Sequence, residues 1–332
     1  MATKTDRFSN LPRYRDLPID KSMPPNSAWG VFGDDDQVGT INLLTPERVA
    51  HAATLVQKGS VFSLNWDMEK PGPPILGRTL MHHHIIDLTP GTDASEWGTD
   101  DYYDGYWPQS STQWDALSHM PNPDYGYYNG VQREDITGQP GSKNGIENWA
   151  RRGIAGRFVL ADVAAYLAAQ GTPIDGAKRV EIPIETVQAA LDAQGTKLQG
   201  GDILLLRMGW IGWYEQASME TRIAISKLGG PELQAPGLSA DESTLEWLWD
   251  NHVAAVACDV PALEAMPYTP TVAGFLHYRI IPLLGMAVGE MFALDALAAD
   301  CARDGVYEGL FTAAPLNKLG GSGSPGNALA LK

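Results

Sequence analysis

Glycine and proline punctuate this chain so densely, 35 and 23 times in 332 residues, that few uninterrupted stretches could carry a long helix. Glycine weakens regular elements through backbone entropy, and proline through its missing N–H. Many short strands and turns with only a few helices are therefore expected, and no internal repeat is visible.

A first helix is predicted from Thr45 to Lys58, with Thr45 as cap, Pro46 at the first position and Gly59 as stop. Val49, Ala52, Ala53 and Val56 share its apolar face. A second runs from Ile184 to Gln194, stops at Gly195, and leads through Gly200-Gly201-Asp202 to a buried strand from Ile203 to Leu206. The third begins at Ser239, where Ser239 and Glu242 have capping-box spacing, and precedes the apolar run from Val253 to Cys258. Arg157 to Val163 and Arg279 to Leu284 are further strand candidates. Asp100 to Pro108 and Gly209 to Gly237 read as loops that could cover a pocket, and Gly320 to Gly326 as a closing turn. The pattern is mixed α and β, without the cadence of a barrel or a doubly wound sheet.

A hydrophobic fraction of 44% supplies one substantial core, and no window approaches a membrane-spanning run. Residues 29–332 are expected to form a single domain, preceded by a polar, proline-rich extension over residues 1–28. That extension has no leader-like pattern, so a cytoplasmic location is expected. The net charge of -16 opposes phosphate backbones and anionic lipid surfaces, so neither nucleic acid nor membrane is an expected partner. Cys258 and Cys301 lack the spacing of a disulfide framework or a structural zinc site and read as buried thiols.

The chemistry is concentrated in Gln109, Gln113, Asp115 and His119, all separated by even numbers of residues. On an extended chain they project from one face, with Gln113 and Asp115 about 7 Å apart. Gln109 and His119 join them only if the backbone bends, which Ser110 and Ser111 permit. A carboxylate with neutral oxygen donors suits a hard cation. His277 and Glu290, which flank the strand-like segment from Tyr278 to Gly289, are the candidates to complete the set. A glutamate buried after Ala287-Val288-Gly289 needs a cation or strong hydrogen-bond partners. The same residues could equally form a satisfied hydrogen-bond network, and spacing leaves both readings open.

Tyr102, Tyr103, Tyr106, Trp107 and Trp114 surround this segment and suit an aromatic wall for a flat ring, although core packing accounts equally well for Trp114. Successive residues of His82-His83-His84 face opposite ways on a strand; one of them, here His84, is a candidate for the pocket wall. No Gly-x-Ser-x-Gly elbow occurs and neither cysteine sits in an activating motif, so water is the better nucleophile.

The segment from Gln109 to His119 resembles the signature H-x-G-T-H-x-D-x-P-x-H of the cyclase family of kynurenine formamidase-like and isatin hydrolase-like metal-dependent hydrolases. Thr112, Asp115 and His119 match it, whereas Gln109 and Gln113 replace its first two histidines, Ser111 its glycine and Leu117 its proline. Arg152 to Asp162, Gly201 to Trp210, Ala254 to Glu264 and His277 to Glu290 resemble further family blocks in order. The resemblance implies a swivelling β/β/α fold, a homodimer or homotetramer, and a divalent ion on Asp115, His277 and Glu290 with Gln113 and Gln109. It implies His119 as general acid/base. Glutamine donates only a neutral oxygen, which favours Mn2+ over Zn2+ and one ion over two. The expected activity is hydrolysis of an amide, cyclic amide or lactone in a small cyclic or aromatic substrate. A metal-free ligand-binding homologue and a metal-assisted cyclase or lyase are the alternatives.

Overall fold

The computed structural model describes residues 8, 10–88, 98–230 and 232–332; residues 1–7 and 9 of the expected extension, and Pro231, lie outside them. The strands are β1 (Val61–Ser63), β2 (His82–Asp87), β3 (Thr99–Asp104), β4 (Gln113–Asp115), β5 (Ile154–Asp162), β6 (Glu181–Ile182) and β7 (Ile203–Arg207). They continue with β8 (Gly237–Leu238), β9 (Ala255–Cys258), β10 (Ala287–Glu290), β11 (Glu308–Ala313), β12 (Gly323–Pro325) and β13 (Ala328–Leu331). The α-helices are α1 (Pro46–Ala53), α2 (Glu147–Arg152), α3 (Val163–Ala169), α4 (Ile184–Gln194) and α5 (Trp210–Gln216). After them come α6 (Met219–Ser226), α7 (Glu242–Asp250), α8 (His277–Ile280) and α9 (Asp295–Asp304).

Nine strands form one mixed sheet in the order β1-β13-β11-β5-β7-β9-β10-β4-β12. Its centre, β5-β7-β9-β10, is parallel, and antiparallel strands flank it on both sides. Parallel strands buried on both faces need unbroken apolar runs, which Ile203 to Leu206 and Ala255 to Cys258 supply. None of the helices among the described residues is long and apolar enough to cross a membrane. Residues 10–28 are stitched to α7: Tyr14 N–H donates to Asp250 Oδ1 at 2.7 Å, and Trp249 Nε1 donates to the Pro12 carbonyl at 2.8 Å.

Local signals place several elements where the sequence predicts them. Thr45 caps α1 by accepting from Arg48 N–H, and Gly195 closes α4 in the left-handed conformation at φ 68°. Helix α1 nevertheless ends at Ala53 rather than Lys58, where the Thr54 hydroxyl donates back to the His51 carbonyl at 2.7 Å.

Tertiary contacts redraw other elements. Asp241, not Ser239, precedes α7, because Ser239 N–H is held extended by the Ile182 carbonyl. The predicted strand from Arg279 to Leu284 is instead α8 and the turns that follow. There Arg279 is anchored by the Ala240 and Ala273 carbonyls and by Glu242. The presumed loop from Gly209 to Gly237 contains α5 and α6; Asp259 accepts from Met208 and Gly209 N–H at the start of α5, and Ser218 caps α6. Asp100 to Pro108 includes β3, paired with β2 in an exposed hairpin. Within the glycine-rich tail, β12 pairs with β4 at the sheet edge, where Pro325 is tolerated.

Candidate metal centre

Strand β4 sets the centre by alternation. Gln113 and Asp115 point to one face, while Trp114 turns into the core against Phe292 and Phe311, with its Nε1 donating to the Gly326 carbonyl. Trp114 is thus a packing residue and not part of an aromatic pocket wall. Across the β4–β10 ladder Glu290 faces Gln113 and Val288 faces Asp115, so two carboxylates emerge side by side from neighbouring strands. Thr112 locks that register by donating to the Met291 carbonyl at 2.5 Å and accepting from Trp66 N–H.

His277, the first residue of α8, brings its imidazole over this pair. Its Nε2 lies 3.1 Å from Glu290 Oε1 and 3.6 Å from Asp115 Oδ2. Ligand atoms of Asp115, His277 and Glu290 all lie within 4.8 Å of one another, and all three residues are buried. A fourth residue orients the ring: His277 Nδ1 is 2.9 Å from both oxygens of Glu264. Phe275 stacks on the imidazole at 4.8 Å. With Nδ1 engaged by the Glu264 carboxylate, Nε2 is the nitrogen turned toward the two acids, the usual arrangement for a metal-bound histidine.

The donor set passes a direct test of fit. Both Asp115 oxygens and Gln113 Oε1 are enclosed without a hydrogen-bond partner. Buried unpaired carboxylate oxygens are costly, and a cation is the partner that satisfies several at once. Glu290 is better provided: its Oε2 accepts from Gln113 Nε2 at 2.5 Å and its Oε1 from Leu263 N–H at 3.0 Å. Gln113, on the same face of β4 as Asp115, keeps its Oε1 without a partner while its Nε2 is spent on Glu290.

Electrostatics follow from this crowding. Burial would raise the Asp115 carboxyl, but His119, His277 and Arg78 outweigh it and hold the group below its ordinary range. Glu290 moves upward through burial and the Asp115 charge, against the pull of His277. Burial depresses His277, yet Glu264, Asp115 and Glu290 together raise its affinity for positive charge well above normal. A proton and a metal ion compete for that Nε2.

His119 reaches the centre by a bend that the sequence places elsewhere. The chain turns after Asp115, with His119 N–H bonding the Ala116 carbonyl, and Nε2 comes within 3.7 Å of Asp115 Oδ1. Its side chain is 24% exposed, more than those of His277, Glu264 or Glu290. Gln109 packs against Gly323, the residue facing Asp115 in the β12–β4 ladder. Tyr106 and Trp107 line a cavity of about 250 Å³ with Trp66, Met68 and Thr112; none of the three clustered residues lines it. His84 lies on β2, paired with Asp104 and stacked on Tyr102, within the exposed hairpin. Cys258 is buried and its thiol is pushed far upward by burial, so it supplies no thiolate nucleophile.

Two residues that bear on the centre, Glu264 against the His277 ring and Arg78 through its charge, are not singled out as site candidates by the sequence. Glu264 sits in an apolar run, and the argument that singles out Glu290 as a buried acid applies to it equally. Arg78 carries no spacing signal at all.

The sheet and its buried acid–imidazole cluster define a mixed α/β protein built around a polar centre on two adjacent strands. The family described as "Putative cyclase" matches residues 55–265. The crystal structure of a novel cyclase is 35% identical, with a TM-score of 0.80 over 92% of this chain and 99% of that one. The chain therefore belongs to the cyclase family, and its architecture is the swivelling β/β/α fold of that family. Isatin hydrolase A from Labrenzia aggregata shares the fold at 15% identity, TM-score 0.57, covering 82% of this chain and 93% of that one. An isatin hydrolase bound to the product analogue thioisatinate does so at 16% identity, TM-score 0.56, covering 82% and 92%. Among curated proteins no match is found.

Proposed function

We propose that the protein is a metal-dependent hydrolase that cleaves an amide, cyclic amide or lactone in a small cyclic or aromatic substrate. The observation that carries this reading is the pair of unpaired, buried Asp115 oxygens facing an imidazole whose other nitrogen is engaged by Glu264. Asp115, His277 and Glu290 would hold one divalent ion, with Gln113 Oε1 as a neutral donor and Gln109 beside them. Oxygen donors outnumber nitrogen in this set, which favours Mn2+ over Zn2+. A divalent ion held there supplies Lewis acidity and lowers the pKa of water from about 16 toward about 7.

His119, the partly exposed imidazole beside Asp115, moves the proton. The water oxygen bonds to the carbonyl carbon, the bond to the leaving nitrogen or oxygen breaks, and His119 delivers the proton to that atom. The product acid departs as its carboxylate. A homodimer or homotetramer belongs to the same reading, and the net charge of -16 argues against nucleic-acid and membrane partners.

The test is elemental analysis of the purified protein, followed by a screen of cyclic imides, N-formyl anilines and lactones with Mn2+ present. Hydrolysis abolished by chelation and restored by Mn2+ is expected, with labelled solvent oxygen appearing in the product. Less than about a tenth of a metal equivalent per chain, with no hydrolysis after metal addition, overturns the reading. Turnover without incorporation of solvent oxygen replaces it with a cyclase or lyase.

Gly237 offers a test of how Glu264 supports the centre. A Cβ at Gly237 would lie 2.2 Å from the Glu264 carbonyl carbon and 2.3 Å from its oxygen, so Gly237→Ala must displace the backbone that carries this carboxylate. Metal affinity is expected to fall by about 10- to 100-fold, as for lost outer contacts to a metal-bound histidine. Titration with Mn2+ measures it; unchanged affinity removes Glu264 from the supporting role.

A further inference from the structure

Strands β2 and β3 form a two-stranded sheet of their own, and each packs mainly against the other. Ile85 is 62% exposed, and Ile86, Leu88, Tyr102 and Tyr103 are each between 43% and 47% exposed. An isolated pair of strands is marginal in water and ordinarily lays one apolar face on a core. This pair carries apolar residues on both faces, Ile85 and Tyr103 on one, Ile86 and Tyr102 on the other. Among the described residues no strand pairs with the outer edge of β2 or of β3, so two rows of main-chain N–H and C=O groups face outward.

Charge decides which edge can meet a copy of itself. Strand β3 holds Asp100, Asp101 and Asp104 within six residues. Its two longest antiparallel self-pairings, centred on Asp101 or on Tyr102, set Asp101 against itself or Asp100 against Asp104. Like charges directly opposite each other destabilise a ladder. Strand β2 has a single acid, Asp87, at one end and three histidines, His82, His83 and His84, at the other, so it complements its own reverse.

Hydrogen-bond alternation then narrows the register. In an antiparallel ladder only alternate residues of a strand turn their N–H and C=O toward a given edge. Two copies of one edge therefore align with residues of like parity opposite each other, and the longest overlaps within β2 centre on His84 or on Ile85. Centring on His84 sets imidazole against imidazole and leaves Asp87 outside the paired stretch. Centring on Ile85 sets it against the partner's Ile85, and His83 against the partner's Asp87, twice over by symmetry. His84 then lies opposite the partner's Ile86, so both faces gain apolar contact.

We propose that β2 is a self-association edge: two copies of this chain pair it antiparallel about a two-fold axis at Ile85, joining their hairpins into one four-stranded ribbon. A two-fold contact uses the same patch on both copies, which is the complementarity that β2 has and β3 lacks. In the ribbon β3 becomes the outer edge on each side, and its aspartates discourage further strands from adding. The proposal assigns a surface to the homo-oligomer of the functional reading and rests on that part of it, independently of metal and hydrolysis.

The experiment is sedimentation of wild type and Ile85→Lys, together with mild oxidation of Ile85→Cys and Tyr102→Cys. Ile85 is exposed in the single chain, so lysine there leaves the core intact, whereas in the pair it sets two ammonium groups face to face. Wild type is expected at twice the mass of one chain or a multiple of it, and Ile85→Lys at half the wild-type mass, its dissociation constant raised about tenfold or more. At the two-fold axis Cβ atoms lie about 5 Å apart, so Ile85→Cys should form a covalent dimer, while Tyr102→Cys, also exposed but on the outer strand, should not. Cys258 and Cys301 are buried and do not compete. Wild-type mass in Ile85→Lys, or equal crosslinking by the two cysteine variants, overturns this surface and leaves the homo-oligomer standing. A monomeric wild type overturns both, and neither result bears on hydrolysis.

Discussion

Asp115→Asn is expected to empty the centre of metal and reduce hydrolysis by about a thousandfold or more, a loss of about 4 kcal/mol in transition-state stabilisation. The substitution keeps the side-chain volume, so the β4–β10 ladder and the Trp114 packing behind it should survive. What it removes is specific. Both Asp115 oxygens are enclosed and unpaired, whereas each Glu290 oxygen already accepts a hydrogen bond from Leu263 or Gln113. Asp115 is therefore the acid with both oxygens free of hydrogen bonds for a cation to take.

The same variant separates binding from folding. A cation that binds only the native state stabilises it by about 2.7 kcal/mol at one hundred times its dissociation constant. Wild-type protein should thus melt at a higher temperature on addition of Mn2+, and Asp115→Asn should not. A variant that retains both the metal-induced shift and full turnover would eliminate Asp115 as a ligand.

Much of the framework is legible in the chain because its signals are local. Thr45 with Pro46 starts α1, Gly195 stops α4, and the apolar runs of β7 and β9 mark strands buried on both faces. Period-two alternation likewise places Gln113 and Asp115 on one face of β4. Elements set by distant partners are not legible this way. The Tyr278 to Leu284 segment is apolar and β-prone, yet its first part is helical because Arg279 is drawn to carbonyls on two other segments. Its helical turn is what swings His277 over the two strands.

The centre shows the same division. Asp115, His277 and Glu290 stand 175 residues apart at the extremes, and in the sequence only the resemblance to the family's separate blocks links them. Glu264 and Arg78 act through His277 and through space, and no spacing rule relates them to β4. The bend that carries His119 back to Asp115 includes a turn bond to Ala116 and a Ser118 N–H bond to the Asn144 carbonyl, neither of which an extended-strand reading of the motif contains.

That bend underlies the second large effect. His119→Ala should lower kcat by about 10²- to 10⁴-fold, the range for loss of a positioned acid/base, while metal content stays at the wild-type level. The two results must appear together. His119 Nε2 is 3.7 Å from Asp115 Oδ1, beside a proposed ligand and outside the compact Asp115–His277–Glu290 cluster, so its removal should leave the ion in place. Its side chain is 24% exposed and lies beside the buried Asp115 carboxylate, so truncation should also cost about 1 kcal/mol of stability, which thermal unfolding of the metal-loaded variant measures. Added imidazole should restore part of the lost rate, because a small base can occupy the vacated space, and KM should change little. Loss of metal in His119→Ala would instead make the residue a ligand, and undiminished kcat would move proton transfer to another group.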